Sequence, residues 1–162
     1  MKNSLTETMV GILEVPKGKV DITDPCYNRD VWCRMNQVKI KAGSYECYAC
    51  EDTSERRIAV CGIRIKNYPE YFSSDMEKIG NIGVDAGLAG FFPNKPDYDK
   101  DGAWGKLCAN EFSKSWPTVC LYEDGFCTSS GWGDGGYNVY AAKDQAGEIF
   151  ALEIRFLEDE DE

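Results

Sequence analysis

Short segments that alternate apolar with polar residues, separated by glycine and proline turns, run through most of the chain. The last of them places Phe150, Leu152, Ile154 and Phe156 on one face, because successive side chains of a strand point to opposite faces. About ten such segments follow one another without the strand–helix alternation of a parallel sheet. We therefore predict a fold of the α+β class that is predominantly antiparallel β, a sandwich or a half-open barrel with one or two short helices.

Two segments have the apolar spacing of a helix. Residues 69–78 carry Tyr71, Phe72 and Met76 on one predicted face, and residues 104–116 form the second candidate. A chain of 162 residues fits a single domain. We place that domain at residues 1–157 and an acidic tail at residues 158–162.

A glycine-rich stretch, GWGDGGY at residues 131–137, is the most unusual local feature of the sequence. Glycine is used where the backbone needs a positive φ or must approach another group closely. One carboxylate, Asp134, lies among four glycines, between Trp132 and Tyr137. A carboxylate held in such a loop suits a cation, a ligand hydroxyl or a set of backbone N–H groups.

Two further carboxylates end predicted strands: Asp24, which precedes Pro25, and Asp85, which lies in a Val-Asp-Ala-Gly segment. If the three strand ends lie on the same side, the carboxylates line one pocket with aromatic walls. The predicted ligand-binding residues are then Asp24, Tyr27, Asp85, Trp132, Asp134 and Tyr137. In the alternative, each Asp caps its own loop by accepting hydrogen bonds from nearby backbone N–H groups.

A separate acidic segment matches the first half of a calcium loop, with Asp97, Asp99 and Asp101 as candidate metal ligands. A complete loop of this type needs a Glu at its twelfth position, where this chain has Cys108. A partial calcium or magnesium site and a solvated acidic turn are the two interpretations. No other cofactor is predicted.

The net charge of −10 comes from 28 acidic and 18 basic residues. Half of the imbalance lies in the tail at residues 158–162, all five of which are acidic. Direct nucleic-acid binding is disfavoured, because it depends on basic residues that neutralise phosphates. No apolar run reaches the roughly 18 to 20 residues that span a membrane, and the N-terminus lacks the apolar core of a signal peptide. We therefore expect a cytoplasmic protein.

The chain has eight cysteines and no histidine. In a reducing compartment most of the cysteines are expected to be small buried hydrophobes, with a zinc site on Cys47 and Cys50 as the alternative. The lack of histidine excludes Ser-His-Asp and Cys-His catalytic arrangements within this chain. These observations favour a protein that is not an enzyme.

Three segments in this order, DPCY at residues 24–27, VDAG at residues 84–87 and GxGDGxY at residues 131–137, resemble an uncharacterised bacterial and phage domain family. The resemblance extends from about residue 19 to residue 156. It implies a compact β-rich domain and carries no established activity.

The leading hypothesis is a non-enzymatic, soluble binding protein that recognises a small polar ligand or a protein partner through the loops at Asp24, Asp85 and Asp134. The alternative is an acidic interaction or inhibitor protein that covers a basic site on a partner protein. A hydrolase that uses the three Asp residues to bind a divalent metal is the third hypothesis.

Overall fold

The computed structural model describes residues 5–93, 102, 104–105 and 117–158, which form two antiparallel sheets. The strands are β1 (Leu5–Val15), β2 (Lys19–Thr23), β3 (Met35–Lys39), β4 (Gly43–Asp52), β5 (Arg57–Ile65), β6 (Glu77–Val84), β7 (Leu88–Phe92), β8 (Val119–Tyr122), β9 (Gly125–Ser129), β10 (Gly135–Lys143) and β11 (Ile149–Arg155). The six-stranded sheet has the order β1-β4-β5-β11-β10-β6, and the five-stranded sheet has the order β3-β2-β7-β9-β8. Both sheets are open, so the predicted antiparallel β architecture is confirmed and barrel closure is not found among these strands.

The main core lies between the two sheets. It contains apolar side chains of both, including Leu152 and Ile154 of β11, Phe91 of β7 and Phe126 of β9. These residues alternate with residues of the opposite face along each strand, as the period of two in the sequence predicts. The predicted core face of β11 is therefore confirmed for Leu152 and Ile154, and Phe156 continues it.

Phe150 is the exception on the predicted core face of β11. The pairing of β10 with β11 shifts register between Ala142 and Lys143, and this irregularity leaves Phe150 out of the ladder. Its ring is buried in a separate cluster, edge-on to Tyr71 at 5.3 Å between centroids. A bulge of this kind re-aims a side chain, which strict alternation in the sequence does not reveal.

The predicted helix over residues 69–78 is wrong. The segment contains one 3₁₀ turn, Ser73–Asp75, and β6 begins at Glu77. Arg155 Nη2 donates to the Ser73 carbonyl at 2.9 Å, so this turn is tied to β11. The second predicted helix, residues 104–116, lies outside the described residues except for 104–105. No helix in the described part of the chain is long and apolar enough to cross a bilayer.

A polar cluster is buried on the outer face of the six-stranded sheet. Tyr48 Oη donates to Glu153 Oε2 at 2.5 Å, and Arg155 Nε donates to Glu153 Oε1 at 3.1 Å. The Tyr48 ring lies directly over β5, where a Cβ at Gly62 would be 2.2 Å from Tyr48 Cζ. Burial raises the pKa of Tyr48, so its hydroxyl keeps the proton that it donates. Both oxygens of Glu153 are thus satisfied within the sheet.

The cysteines follow the prediction only in part, because Cys33, Cys50 and Cys120 are half-buried. Cys47, Cys61 and Cys127 are buried in the interior with free thiols. Cys26 departs from it, because it is disulfide-bonded. The zinc alternative gains no support, since the described residues contain no group of three cysteine or carboxylate ligands placed to hold a metal.

Candidate functional site

Five segments meet at one end of the two sheets, which we call the loop end. They are residues 24–34, 53–56, 85–87, 130–134 and 156–158. The strand register places them there, because Gly135 of β10 pairs with Val84 of β6, and Leu88 of β7 pairs with Ser129 of β9. The chain crosses between the sheets twice at this end, from β6 to β7 and from β9 to β10. The three loops that carry the predicted Asp residues therefore lie on the same side.

Asp24 joins two of these loops from a fully buried position. Its Oδ2 accepts hydrogen bonds from the backbone N–H groups of Asp85 at 2.9 Å and Ala86 at 2.7 Å, and its Oδ1 accepts one from Cys26 at 2.8 Å. Burial raises the pKa of Asp24, and the three N–H groups oppose that shift. Asp24 is thus a loop cap, the alternative to a ligand-binding residue, and it caps a neighbouring loop as well as its own.

The glycine-rich loop is closed by Tyr137. The hydroxyl of Tyr137 lies 2.7 Å from the Gly133 carbonyl and 2.9 Å from the Ser130 carbonyl, and the Ser130 N–H donates to the Gly87 carbonyl at 3.0 Å. Burial raises the pKa of Tyr137, so the hydroxyl remains a donor. Its ring packs edge-on against Phe156 at 5.0 Å. Tyr137 therefore fastens the loop and is not an open aromatic wall.

Position 131 is one place in this loop where the backbone requires glycine. Its φ of +59° is in the left-handed region, and a Cβ there would lie 3.0 Å from Phe156 Cβ. A side chain at this position would be strained and would press on the end of β11. The turn lets Trp132 project from the loop.

Trp132 is the most exposed of the predicted site residues that have large side chains, with 63% of its surface accessible. The Arg57 guanidinium lies over the ring, 3.7 Å from its centroid, and Arg57 Nη1 donates to the Gly131 carbonyl at 2.9 Å. Arg57 thus holds the loop and the ring together. The indole is an oriented surface and not a freely rotating side chain.

A groove of about 530 Å³ opens beside Trp132, a size within the range of roughly 300–1,000 Å³ found for ligand pockets. Its lining residues are Asp52, Ser54, Glu55, Trp132, Phe156, Leu157 and Glu158. Three of these carry carboxylates, three are apolar or aromatic, and none of the described lining residues is basic. The groove therefore combines apolar and aromatic side chains with carboxylates, of which Glu55 and Glu158 are exposed and form its acidic rim.

Two of the three groove carboxylates are anchored. Asp52 Oδ1 accepts hydrogen bonds from Ser54 Oγ at 2.7 Å and from the backbone N–H groups of Ser54 and Glu55. The Ser54 hydroxyl bond is the main reason that the pKa of Asp52 is lowered. Glu158, the first residue of the predicted tail, accepts from Tyr140 Oη at 2.7 Å and Asn138 Nδ2 at 3.0 Å. Glu55 is exposed, and its side chain projects from the β4–β5 turn.

The remaining predicted residues are distributed around this end. Asp85 and Asp134 are exposed, whereas Asp24 is fully buried, so the three carboxylates do not share one environment. Tyr27 is half-buried, and burial together with Cys33 and Asp24 raises its pKa to about 12. The described residues form no cluster of three carboxylate or cysteine ligands for a metal. Asp97, Asp99 and Asp101 lie outside the described residues.

Sequence reasoning missed the support beneath the 24–34 loop. Asp21 is fully buried and accepts from Arg34 Nη2 at 2.8 Å, Arg29 Nε at 3.0 Å and the Gln37 N–H at 2.8 Å. Arg34 Nη1 also donates to the Tyr27 carbonyl at 2.6 Å. Alternation along β2 places Asp21 on the polar face of the strand. That pattern does not indicate that the 24–34 loop folds back over Asp21 and buries it. Arg29 and Arg34 in the following loop are the only sequence features that could have indicated a buried partner for Asp21.

Arg57 and Glu55 were missed as well. Glu55 lies in the β4–β5 turn and Arg57 is the first residue of β5. Both are more than seventy residues from Trp132 in the sequence, and no local pattern connects them to it. No protein-family model matches the chain, and neither curated proteins nor solved structures show significant similarity to it. The family resemblance of the three Asp segments therefore remains a prediction.

Proposed function

We propose that this chain is a non-enzymatic binding domain, of the bacterial and phage type that its sequence resembles, and that the groove beside Trp132 receives a cationic group of a partner protein or peptide. The observation that carries the proposal is the exposed, Arg57-oriented indole next to a groove lined by three carboxylates, of which Glu55 and Glu158 are exposed and Asp52 is buried. Aromatic faces and carboxylates together favour ammonium and guanidinium groups.

The rigidity of the loop end supports binding. The buried Asp24 carboxylate joins the 24–34 and 85–87 loops, and Tyr137 closes the 130–134 loop. A preorganised surface loses little conformational entropy when a ligand binds. The same geometry argues against the metal-dependent hydrolase, because all three hydrogen bonds accepted by Asp24 come from backbone donors that a metal ion would displace.

The test is a calorimetric titration of the full chain with three peptides of equal length, at low and at moderate salt. One peptide is lysine-rich, one is arginine-rich and one is built of serine. The cationic peptides are expected to bind and the serine peptide is not. Binding should weaken with salt, because the Glu55 and Glu158 carboxylates are exposed to screening. Trp132→Ala should weaken binding at least about tenfold, as expected for an aromatic anchor.

Trp32→Ala is the matched control, since Trp32 is 91% exposed in the 24–34 loop but does not line the groove. It should leave affinity unchanged. Equal binding of the serine and cationic peptides, or equal losses in the two tryptophan variants, would contradict the proposal.

A second candidate function, the acidic interaction protein that covers a basic site, is favoured by the position of Glu158. Glu158 lines the groove and is the first of the five consecutive acidic residues at 158–162. Removal of residues 159–162 distinguishes the two functions. If the truncation abolishes binding to the cationic peptides while Trp132→Ala does not, the tail is the binding element and the groove is not.

A further inference from the structure

The two lateral sides of the sandwich differ in how their edge strands are protected. On one side, the edge strand β6 is covered, because the Gly83 N–H donates to the Cys33 carbonyl at 2.8 Å. Met35 packs closely there as well, since a Cβ at Gly80 would lie 2.9 Å from its sulfur. The edges of the five-stranded sheet are short, with five residues in β3 and four in β8. Short and covered edges are poor templates for pairing with another strand.

The edge strand β1 is not short, and no backbone hydrogen bond from another described segment covers its free edge. It runs for eleven residues, and within the described part of the chain β4 is the only strand that pairs with it. Its sequence, LTETMVGILEV, contains no lysine, arginine or proline, the residues that commonly block edge pairing. Three of its large apolar side chains are exposed: Leu5 at 42%, Met9 at 49% and Ile12 at 39%. A single register shift, between Met9 and Gly11, is its only irregularity.

We infer that β1 pairs antiparallel with β1 of a second copy of this chain, which joins two six-stranded sheets across a two-fold axis. Such an interface is isologous, so the strand must be complementary to itself.

The charge pattern of β1 meets this requirement. With Val10 on the two-fold axis, Glu7 faces Leu13 and Glu14 faces Thr6, so no two carboxylates oppose each other. A parallel in-register pairing would instead place each Glu beside its own copy, which is destabilising.

The interface also leaves the loop end accessible. Residue Leu5 lies at the loop end, opposite Asp52, and Val15 lies at the far end. Antiparallel pairing therefore points the loop ends of the two copies in opposite directions. The dimer does not depend on the proposed groove function, and neither excludes the other.

The test is sedimentation equilibrium of the full chain over concentrations from about 1 to about 500 µM, a range that covers micromolar association. The mass is expected to rise from 18.2 kDa toward twice that value. Added salt should favour the dimer, because each copy carries a net charge of −10 and screening reduces the repulsion. Groove binding has the opposite salt dependence, so the two are distinguishable.

The variant Met9→Lys/Ile12→Lys should remain at 18.2 kDa, since lysines on an edge strand oppose pairing. Val119→Lys is the matched control, because Val119 is equally exposed at 39% on the other edge strand of this side, β8. Amide hydrogen exchange of the unmodified chain gives a readout that requires no variant. Protection of residues 5–15 should increase with concentration, whereas protection of residues 35–39 should not.

A mass of 18.2 kDa at every concentration overturns the inference. A dimer that persists in the double lysine variant, or that is lost equally in Val119→Lys, also overturns it. So does concentration-dependent protection that falls outside β1.

Discussion

At the loop end, the buried junction at Asp24 and the exposed 130–134 loop are built from neighbouring segments but use their carboxylates in opposite ways. Asp24 in the junction is fully buried and accepts three backbone N–H bonds, whereas Asp134 in the 130–134 loop is exposed. Both precede a turn and both lie at strand ends. The difference is set by the backbone of other loops, because only Asp24 faces the N–H groups of the 85–87 segment. The buried junction thus provides rigidity, and the carboxylate of the exposed loop remains available for contact.

Replacement of Asp24 by Ala is expected to have the largest effect. It leaves three N–H groups without their acceptor and should lower the free energy of unfolding by about 3 kcal/mol, because each unsatisfied buried donor costs about 1–3 kcal/mol. Urea denaturation measures the change. Asp85→Ala is the control in the same junction; its exposed side chain predicts a change within about 0.5 kcal/mol. Similar losses of unfolding free energy in both variants would show that the Asp24 and Asp85 carboxylates contribute equally to stability, against the expectation from their burial.

Tyr137→Phe should have a smaller effect. The ring still packs against Phe156, but the hydroxyl that closes the 130–134 loop is lost, at a cost of about 1 kcal/mol. The same denaturation experiment measures it, with Asp134→Asn as the control for a polar change in the same loop. Asp134→Asn should be neutral within about 0.5 kcal/mol. If Asp134→Asn proves the more destabilising, the Asp134 carboxylate has a structural role that its exposure does not indicate.

The smallest expected effect is a difference in pKa between Asp24 and Asp52, two carboxylates that both cap turns. Burial raises the pKa of Asp24 above its ordinary value of 3.8, and the Ser54 hydroxyl bond lowers that of Asp52 below 3.8. The stabilising contribution linked to Asp24 is therefore present below pH 3.8 and is lost as the pH rises through its folded-state pKa. That of Asp52 is present above pH 3.8 and is lost as the pH falls through its folded-state pKa.

Carboxyl-carbon NMR titration resolves the two groups. The midpoint for Asp24 should lie above 3.8 and that for Asp52 below it. The reverse order would mean that the N–H bonds to Asp24 outweigh its burial.

Much of the fold follows from local patterns in the sequence. Alternation and turn residues located most of the strands, including the β8–β9 and β10–β11 hairpins, because a half-buried strand imposes a period of two. The helix predicted over residues 69–78 failed for the opposite reason. Its apolar residues have helical spacing, but Tyr71 packs on Phe150 and β6 pairs with β10 from Glu77 onward. Tertiary pairing overrides a local pattern of that length.

The site was less predictable than the fold. The Gly-Asp-Gly stretch indicated where a loop needs an unusual backbone, and the strand ends do meet on one side. Whether Asp24 binds a ligand or a backbone depends on the 85–87 loop, and the role of Trp132 depends on Arg57, both far away in sequence. A single sequence contains the residues but no information on these distant contacts.

The contacts that build the loop end connect distant parts of the chain. The Asp24 bonds join residues 61 and 62 positions apart, and the bond from Arg57 to the Gly131 carbonyl joins residues 74 positions apart. Contacts of such separation require long loops to close, which slows folding. The groove beside Trp132 therefore exists only when the β4–β5 turn, the 130–134 loop and the end of β11 have come together. If the proposed ligand binds in this groove, its binding will report that these distant contacts have formed, and it can then serve as a check on the conformation of the folded chain.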